Sequence, residues 1–303
     1  MPQFFKKTNI NFIGPRFKLL AITGSVIVAG MIVMILRGGP DWSIDFRGGL
    51  DMQLRFETPV SDGHVRAALT GMSVGEVKTI SSLGQPDEIL VRLKVAENSE
   101  ETQRQVMTKL ASGFPGNRAE LRNVDVVGPK VGGELRRQAI ISAVVACALL
   151  LIYISWRFHF EYALGGVLGL VHDTLLTMAF LTFFNYEFSL QVLAAILTLL
   201  GFSINDTIVI YDRIRENLKK LRQMKLGEIM NLSINETLSR TIITSLTVFM
   251  TVLVLFIFGG PVLRGFSFAM LVGVVTGTYS SIYVSSPIVL EWAERQALKG
   301  KKR

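Results

Sequence analysis

Asp206 has the clearest chemical potential in the chain. It follows an apolar run from Phe188 to Leu200, stands between Asn205 and Thr207, and lies shortly before the chain turns strongly basic. A carboxylate inside a membrane helix costs about 2.5–3.5 kcal/mol on insertion scales, so it implies proton or ion handling unless a neighbouring helix satisfies it. On a helix, Ser203 shares a face with Asp206 (i, i+3) and Thr207 (i, i+4), and that face must point away from lipid. Three further places put polar groups within or against apolar segments. His172 and Asp173 stand mid-segment, flanked by Thr174 and Thr177, where they would either transfer protons or lock helices together by hydrogen bonds. Arg240 follows Ser233, Asn235 and Ser239 at the start of an apolar stretch, close enough to the membrane surface to snorkel. Thr276, Thr278, Tyr279, Ser280 and Ser281 form a row that serves as packing glue or as a water path.

Hydrolysis finds little support. None of the three His residues has the His-Glu-x-x-His spacing of a zinc protease. An aspartyl dyad would have to come from Asp173 and Asp206 on different helices. Nothing matches G-x-x-x-x-G-K-[ST], so ATP is not the direct source of work in this chain. The single Cys147 lies in an apolar helix and supports no disulfide or thiolate metal framework. No enzyme, metal or cofactor is expected.

The elements that must position these residues are membrane helices. Half of the 303 residues are hydrophobic, and the mean hydropathy is +0.42. Six apolar segments account for this, near Leu19–Leu36, Ala139–Trp156, Tyr162–Phe184, Phe188–Tyr211, Thr241–Phe258 and Phe266–Leu290, each of a length that crosses a bilayer. The first follows Lys6, Lys7, Arg16 and Lys18 but has no small-x-small cleavage site, which makes it an uncleaved signal anchor. Gly165 with Gly169, and Gly273 with Gly277, repeat at helix-contact spacing and mark the third and sixth spans as internal packing helices.

The net charge of +8 is not a nucleic-acid signal once it is mapped. Arg37–Arg137 holds equal numbers of basic and acidic residues, while the excess lies in the N-terminal tail, Arg213–Arg240 and Arg295–Arg303. These three segments fall on one side of a six-helix path, and the positive-inside rule makes that side cytoplasmic. The expected division is a cytoplasmic tail over 1–18, a first span over 19–36 and an extracytoplasmic domain over 37–137. A five-helix bundle over 138–290 follows, with a cytoplasmic loop at 213–240, then a basic cytoplasmic tail over 291–303.

Within the outer domain, Ile44–Glu57 alternates apolar and polar residues and reads as a strand, Val60–Leu69 as a short helix, and Gly75–Ile80 and Ile89–Val95 as strands about a turn at Gly84-Gln-Pro-Asp87. Glu100–Leu110 is an amphipathic helix and Ala119–Val127 a last strand. The order βαββαβ predicts an α+β ferredoxin-like sandwich, attached to an all-α bundle of six transmembrane helices. That sandwich is shared by many activities and proves none of them.

Gly201-Phe-Ser-Ile-Asn-Asp-Thr-Ile-Val-Ile-Tyr-Asp-Arg-Ile-Arg-Glu-Asn217 resembles the fourth-helix signature of the SecF family, the smaller half of the bacterial SecD–SecF export complex. The likeness extends in order to Ile44-Asp-Phe-Arg-Gly-Gly49, Val127-Gly-Pro-Lys-Val-Gly-Gly-Glu-Leu135, Leu170-Val-His-Asp-Thr174 and Leu238-Ser-Arg-Thr-Ile-Ile-Thr-Ser-Leu246. Arg47 stands where the family often has a smaller residue, a surface variation. The resemblance implies the RND superfamily, half of a pseudo-symmetric pair of six-helix units, and a multi-pass place in the bacterial inner membrane with both termini cytoplasmic. It implies SecD, YajC, the SecYEG channel, an unfolded exported polypeptide and protons as partners, and a proton-motive-force-driven role in late, ATP-independent export. It further implies Asp206 as a proton-path carboxylate with Arg240 as an essential arginine nearby. The rival readings are an RND-type exporter of lipid or small molecules, which would have larger outer domains and a substrate cavity, and a non-conducting scaffold for SecD.

Overall fold

A computed structural model of the chain describes residues 8–80, 88–93 and 99–300. Among the described residues, six helices are long and apolar enough to cross a membrane. They are α1 (Arg16–Leu36), α5 (Pro129–Arg157), α6 (Phe160–Phe183), α7 (Leu190–Lys220), α8 (Leu226–Phe258), and a last span built from α9 (Gly260–Ser280), a π-helical turn Ser281–Ser285, and α10 (Ser286–Gly300). Between α1 and α5 lie α2 (Ile44–Arg47), β1 (Gly49–Phe56), α3 (Asp62–Ala68), β2 (Val74–Ile80), β3 (Glu88–Leu93), α4 (Ser99–Gly113) and β4 (Ala119–Val127).

The apolar stretches bury unequally. In α6 and α7 about half of the apolar window is buried, 56% and 50%, against 11% in α1 and in α5. His172, Asp173, Ser203, Asp206 and Thr207 therefore ride on the two helices whose apolar windows are most buried, as the requirement to avoid lipid demands. Glycine spacing sets the approach of their neighbours. A Cβ on Gly273 would lie 2.0 Å from Leu199 Cδ1 on α7, and one on Gly169 would lie 2.1 Å from Ser285 Oγ in the π turn. That turn is bridged by Ser286 Oγ, which donates to Ser281 O at 2.7 Å. The third and sixth spans are thus packing helices, as the small-residue spacing predicts.

The outer sheet has the strand order β2-β3-β1-β4, with every neighbouring pair antiparallel. Leu50, Met52 and Leu54 of β1 are fully buried against Val65, Val106 and Leu110 of α3 and α4, while Asp51, Gln53 and Arg55 take the opposite face. A one-residue slip would put the polar set into the core, so the alternation fixes the register. A bulge in β4 opposite Gln53 and Leu54 interrupts the pairing of β1 with β4.

Two local expectations change. Ile44–Arg47 is a helical turn rather than the start of a strand, because Ser43 Oγ accepts from Asp45 N and Gly48 at φ +75° ends the turn. The segment 213–240 is almost wholly helical, with α7 running to Lys220 and α8 starting at Leu226. Ion pairs Arg213–Glu216 and Glu216–Lys220, both 2.6 Å, line the end of α7 at helical spacing. The turn expected at Gly84–Asp87, and residues 94–95 of the next strand, lie outside the described residues. Arg47 is a surface residue, 3.8 Å from Asp41.

Two of the motifs named above meet. A Cβ on Gly132, near the start of α5, would lie 2.9 Å from Gly48 N and 3.1 Å from Phe46 C. Glycine at 132 lets α5 rest directly on the α2 backbone, joining Ile44–Gly49 to Val127–Leu135.

Candidate functional site

The face expected on α7 exists in three dimensions. Ser203, Asp206 and Thr207 are each 2% exposed, and Thr207 Oγ1 donates back to Ser203 O at 3.3 Å. Asn205, next to Asp206, falls on the exposed side of the same helix and has no part in this cluster. A helix turns by about 100° per residue, which separates neighbours as firmly as it unites i and i+3.

Asp206 is held from α8. Its Oδ2 accepts from Ser245 Oγ at 3.4 Å, with the Thr244 hydroxyl as a second partner, and the Ser245 hydroxyl lies 2.6 Å from Thr278 Oγ1 of α9. Arg240, five residues before Ser245 on α8, is within electrostatic reach of the Asp206 carboxylate. Its side chain is on the exposed surface and takes part in no ion pair among the described residues. It lines a depression of about 440 Å³ bounded by Asp212 and Arg213 of α7 and Glu236 of α8.

Asp173 is firmly held. Its Oδ2 accepts from Ser203 Oγ at 2.6 Å and Ser280 Oγ at 2.7 Å, and its Oδ1 lies 3.3 Å from His172 Nδ1. His172 Nε2 is 2.9 Å from Thr23 Oγ1 of α1, and its ring stacks on Tyr279. Charge-assisted hydrogen bonds of this length are strong. The two carboxylates therefore sit in one connected polar cluster with different degrees of restraint.

Thr23 and Ser245 carry no signal in the sequence, because they gain meaning only from a partner on another helix. Ser280, fully buried, belongs to the hydroxyl row read from the sequence, but its partner Asp173 does not show there. At the basic end, Asn217 Nδ2 donates to Ser233 Oγ at 3.0 Å and to Glu236 Oε2 at 2.7 Å, closing α7 onto α8. Asn231 and Asn235 of α8 grip the segment before α1: Asn231 Oδ1 accepts from Phe12 N at 2.8 Å and Asn235 Oδ1 from Ile10 N at 2.9 Å.

At the opposite end the α6–α7 connection docks the outer domain. Arg92 of β3 forms a bidentate pair with Asp51 of β1, at 2.9 Å for each contact, and reaches Glu187 of the connection at 2.7 Å. Burial alone would lower the Arg92 pKa, but hydrogen bonds and charge from Asp51 and Glu187 outweigh it and raise the pKa above the ordinary arginine range. Asp45 Oδ2 accepts from Leu190 N, the first residue of α7, at 2.9 Å, and the backbones of Ser43 and Phe188 are bonded at 3.0 Å.

Comparison with known proteins decides the family. The family described as "Protein export membrane protein SecD/SecF, C-terminal" matches residues 87–295. The chain is 42% identical over 297 residues to the "Protein translocase subunit SecF" of Calditerrivibrio nitroreducens, covering 95% of this chain and 97% of that one. The chain belongs to the SecD/SecF family. Its relative of the same name in Pseudomonas aeruginosa is 41% identical, with 93% and 91% of the two chains covered. The crystal structure of SecDF, a translocon-associated membrane protein from Thermus thermophilus, superposes with a TM-score of 0.85 at 35% identity over 97% of this chain. That match takes up 40% of the SecDF chain, so this chain spans well under half of its length. A second SecDF structure, in a super-membrane-facing form, gives a TM-score of 0.74 at 34% identity. The chain is thus a multi-pass membrane protein of a protein-translocation family, and its relatives are named as transport subunits.

Proposed function

We propose that this chain is the SecF half of a SecD–SecF assembly, using the proton motive force to promote late, ATP-independent steps of export through the SecYEG channel. The observation that carries the proposal is the contrast between two buried carboxylates: Asp206 meets the Ser245 hydroxyl at a long 3.4 Å, with Thr244 also in reach, while Asp173 accepts two short hydroxyl bonds and lies beside the His172 ring. A proton carrier must exchange its proton, and a weakly held carboxylate exchanges with the least loss of structure. In this reading Asp206 takes a proton from outside and releases it toward the depression beside Arg240. Ser203, Thr207 and His172 line the polar route, and Asn205 faces the partner unit.

Neutralising Asp206 removes a buried charge from the seam between α7, α8 and α9. Movement of α7 would then reach the outer domain through Asp45 at its first turn and Glu187 just before it. We read that domain as the ferredoxin-like sandwich, since βαββαβ with β3 lying between β1 and β2 is its topology. The domain would hand the movement on to an unfolded polypeptide emerging from the channel. SecD would supply the second six-helix unit, with YajC as an accessory. Both termini face the cytoplasm in this reading, since the basic segments meet at one end, where Arg16 pairs with Glu291 at 2.8 Å.

The deciding experiment is Asp206→Asn in inverted membrane vesicles. It keeps the size and part of the hydrogen bonding but cannot alternate between charged and neutral forms. Gradient-dependent stimulation of export should be lost at normal protein level and normal SecD association. Normal stimulation would leave the scaffold reading in possession.

A further inference from the structure

Asp173 and Asp206 are joined twice. One route runs along α7, where Ser203 donates to Asp173 at 2.6 Å and stands one turn before Asp206. The other runs along α9, where Ser280 donates to Asp173 at 2.7 Å, and Thr278, two residues earlier, touches the Ser245 hydroxyl that bonds Asp206. The result is a ring through α6, α7, α8 and α9 in which hydrogen bonds alternate with short stretches of the α7 and α9 helices. α9 comes close to α7 here, since a Cβ on Gly277 would lie 3.0 Å from Ser203 Cβ. Glycine at 277 leaves Ser203 the room it occupies beside the Asp173 carboxyl.

We propose that Asp173 is a positioning residue for Asp206. It accepts one hydroxyl from α7 and one from α9 on a single oxygen, and so fixes the rotation of those two helices about their long axes. That rotation decides whether Asp206 faces Ser245 and Thr278. The Ser203 and Ser280 hydroxyls, at 2.6 Å and 2.7 Å, hold the Asp173 carboxyl in one place between the two helices. His172 is the anchor behind it, carrying the circuit to Thr23 on α1. The titratable and charged groups that face this circuit are His172 from α6, Arg240 from α8 and Tyr279 from α9, while α1 presents only the Thr23 hydroxyl.

The inference rests on the carrier role proposed for Asp206, and the test separates the two. The full chain, co-purified with its partner unit and reconstituted in liposomes, is studied by infrared difference spectroscopy. The carbonyl stretch of protonated Asp206 is identified by its loss in Asp206→Asn. Positioning predicts that Asp173→Asn and Ser203→Ala both keep this band but shift its frequency, since each changes the hydrogen bond at Asp206. Both should also lower gradient-driven export about tenfold, the order expected for one buried hydrogen bond to a charged group. Ser280→Ala should act in the same direction. If Asp173→Asn fails to assemble, the two serine variants, which remove no charge, carry the test alone. A band that stays in place in Ser203→Ala with undiminished export overturns the positioning role and leaves the carrier standing. A second carbonyl band that vanishes in Asp173→Asn, with Ser203→Ala harmless, makes Asp173 a carrier and overturns it as well. Absence of any band lost in Asp206→Asn overturns the carrier, and positioning with it.

Discussion

Arg92 on β3 reaches Glu187 in the α6–α7 connection at 2.7 Å, while the same guanidinium holds Asp51 of the neighbouring strand. One side chain thereby belongs at once to the outer sheet and to the loop that leads into the helix carrying Asp206. Its pair with Asp51 is largely shielded, with side chains 14% and 12% exposed.

Removing Arg92 strands two carboxylates. Arg92→Ala should destabilise the outer domain by about 2–3 kcal/mol, somewhat below the roughly 3–5 kcal/mol typical of a fully buried pair, as read by denaturant unfolding of the purified protein. The Arg92 pKa is raised in the folded state, so its contribution is fully present below the ordinary arginine range and is lost only above it. The loss on mutation should therefore be the same at about pH 7 and about pH 9.

Glu187→Gln is the more specific change. It leaves the Arg92–Asp51 pair inside the sheet and weakens only the link to the connection before α7. Stability should fall by about 1 kcal/mol or less, but gradient-dependent export should drop clearly. A variant with wild-type export would show that force does not pass through this contact.

Arg240→Lys keeps the charge beside Asp206 but loses the planar, five-donor fork. If directed hydrogen bonds in the assembled complex matter, the variant should be impaired in vesicle export. If only charge matters, it should match the parent while Arg240→Gln fails.

Close helix contacts should respond to a single methyl group. On α1, a Cβ at Gly30 would lie 2.3 Å from Ala179 Cβ and 2.7 Å from its Cα, whereas one at Gly24 would meet nothing within 4 Å. Gly30→Ala should cost about 1–3 kcal/mol, seen as a lowered melting temperature in detergent, and Gly24→Ala should be neutral or better. Equal behaviour of the two would refute the close approach of α1 to α6.

Membrane sidedness is testable directly. Reporter fusions at Gly116, in the outer domain, and at Lys220, at the end of α7, should report opposite compartments. The same compartment for both would sink the six-span topology.

The spans and the buried face of α7 are legible in the sequence because they rest on local rules. Hydropathy over a bilayer length marks a helix, and i, i+3, i+4 spacing groups Ser203, Asp206 and Thr207. Adjacency alone groups Asn205 with them, and helical rotation places it on the other side. Asp173 and its neighbour His172 are legible as a polar pair, but the hydroxyls that hold Asp173 come from helices 30 and 107 residues away. The docking role of Glu187 is equally hidden, since the short connection between α6 and α7 carries no pattern that says what it touches. The helical turn at Ile44–Arg47 is masked by the apolar alternation of the strand after it, which continues backwards to a serine that caps a helix.

The grip of Asn231 and Asn235 on the segment before α1 has a bearing on how the chain is made. Ile10 must find Asn235, which follows it by 225 residues, and Arg16 must find Glu291, 275 residues later. At synthesis rates of roughly 5–20 residues per second, that interval is on the order of 10–60 s. Throughout it, residues 10–16 wait for the partners on α8 and α10 that hold them in the finished fold. The grip of α8 on residues 10–12 therefore forms late, and a chain halted before α8 lacks it, although α1 can already pack on α6 through Thr23 and His172.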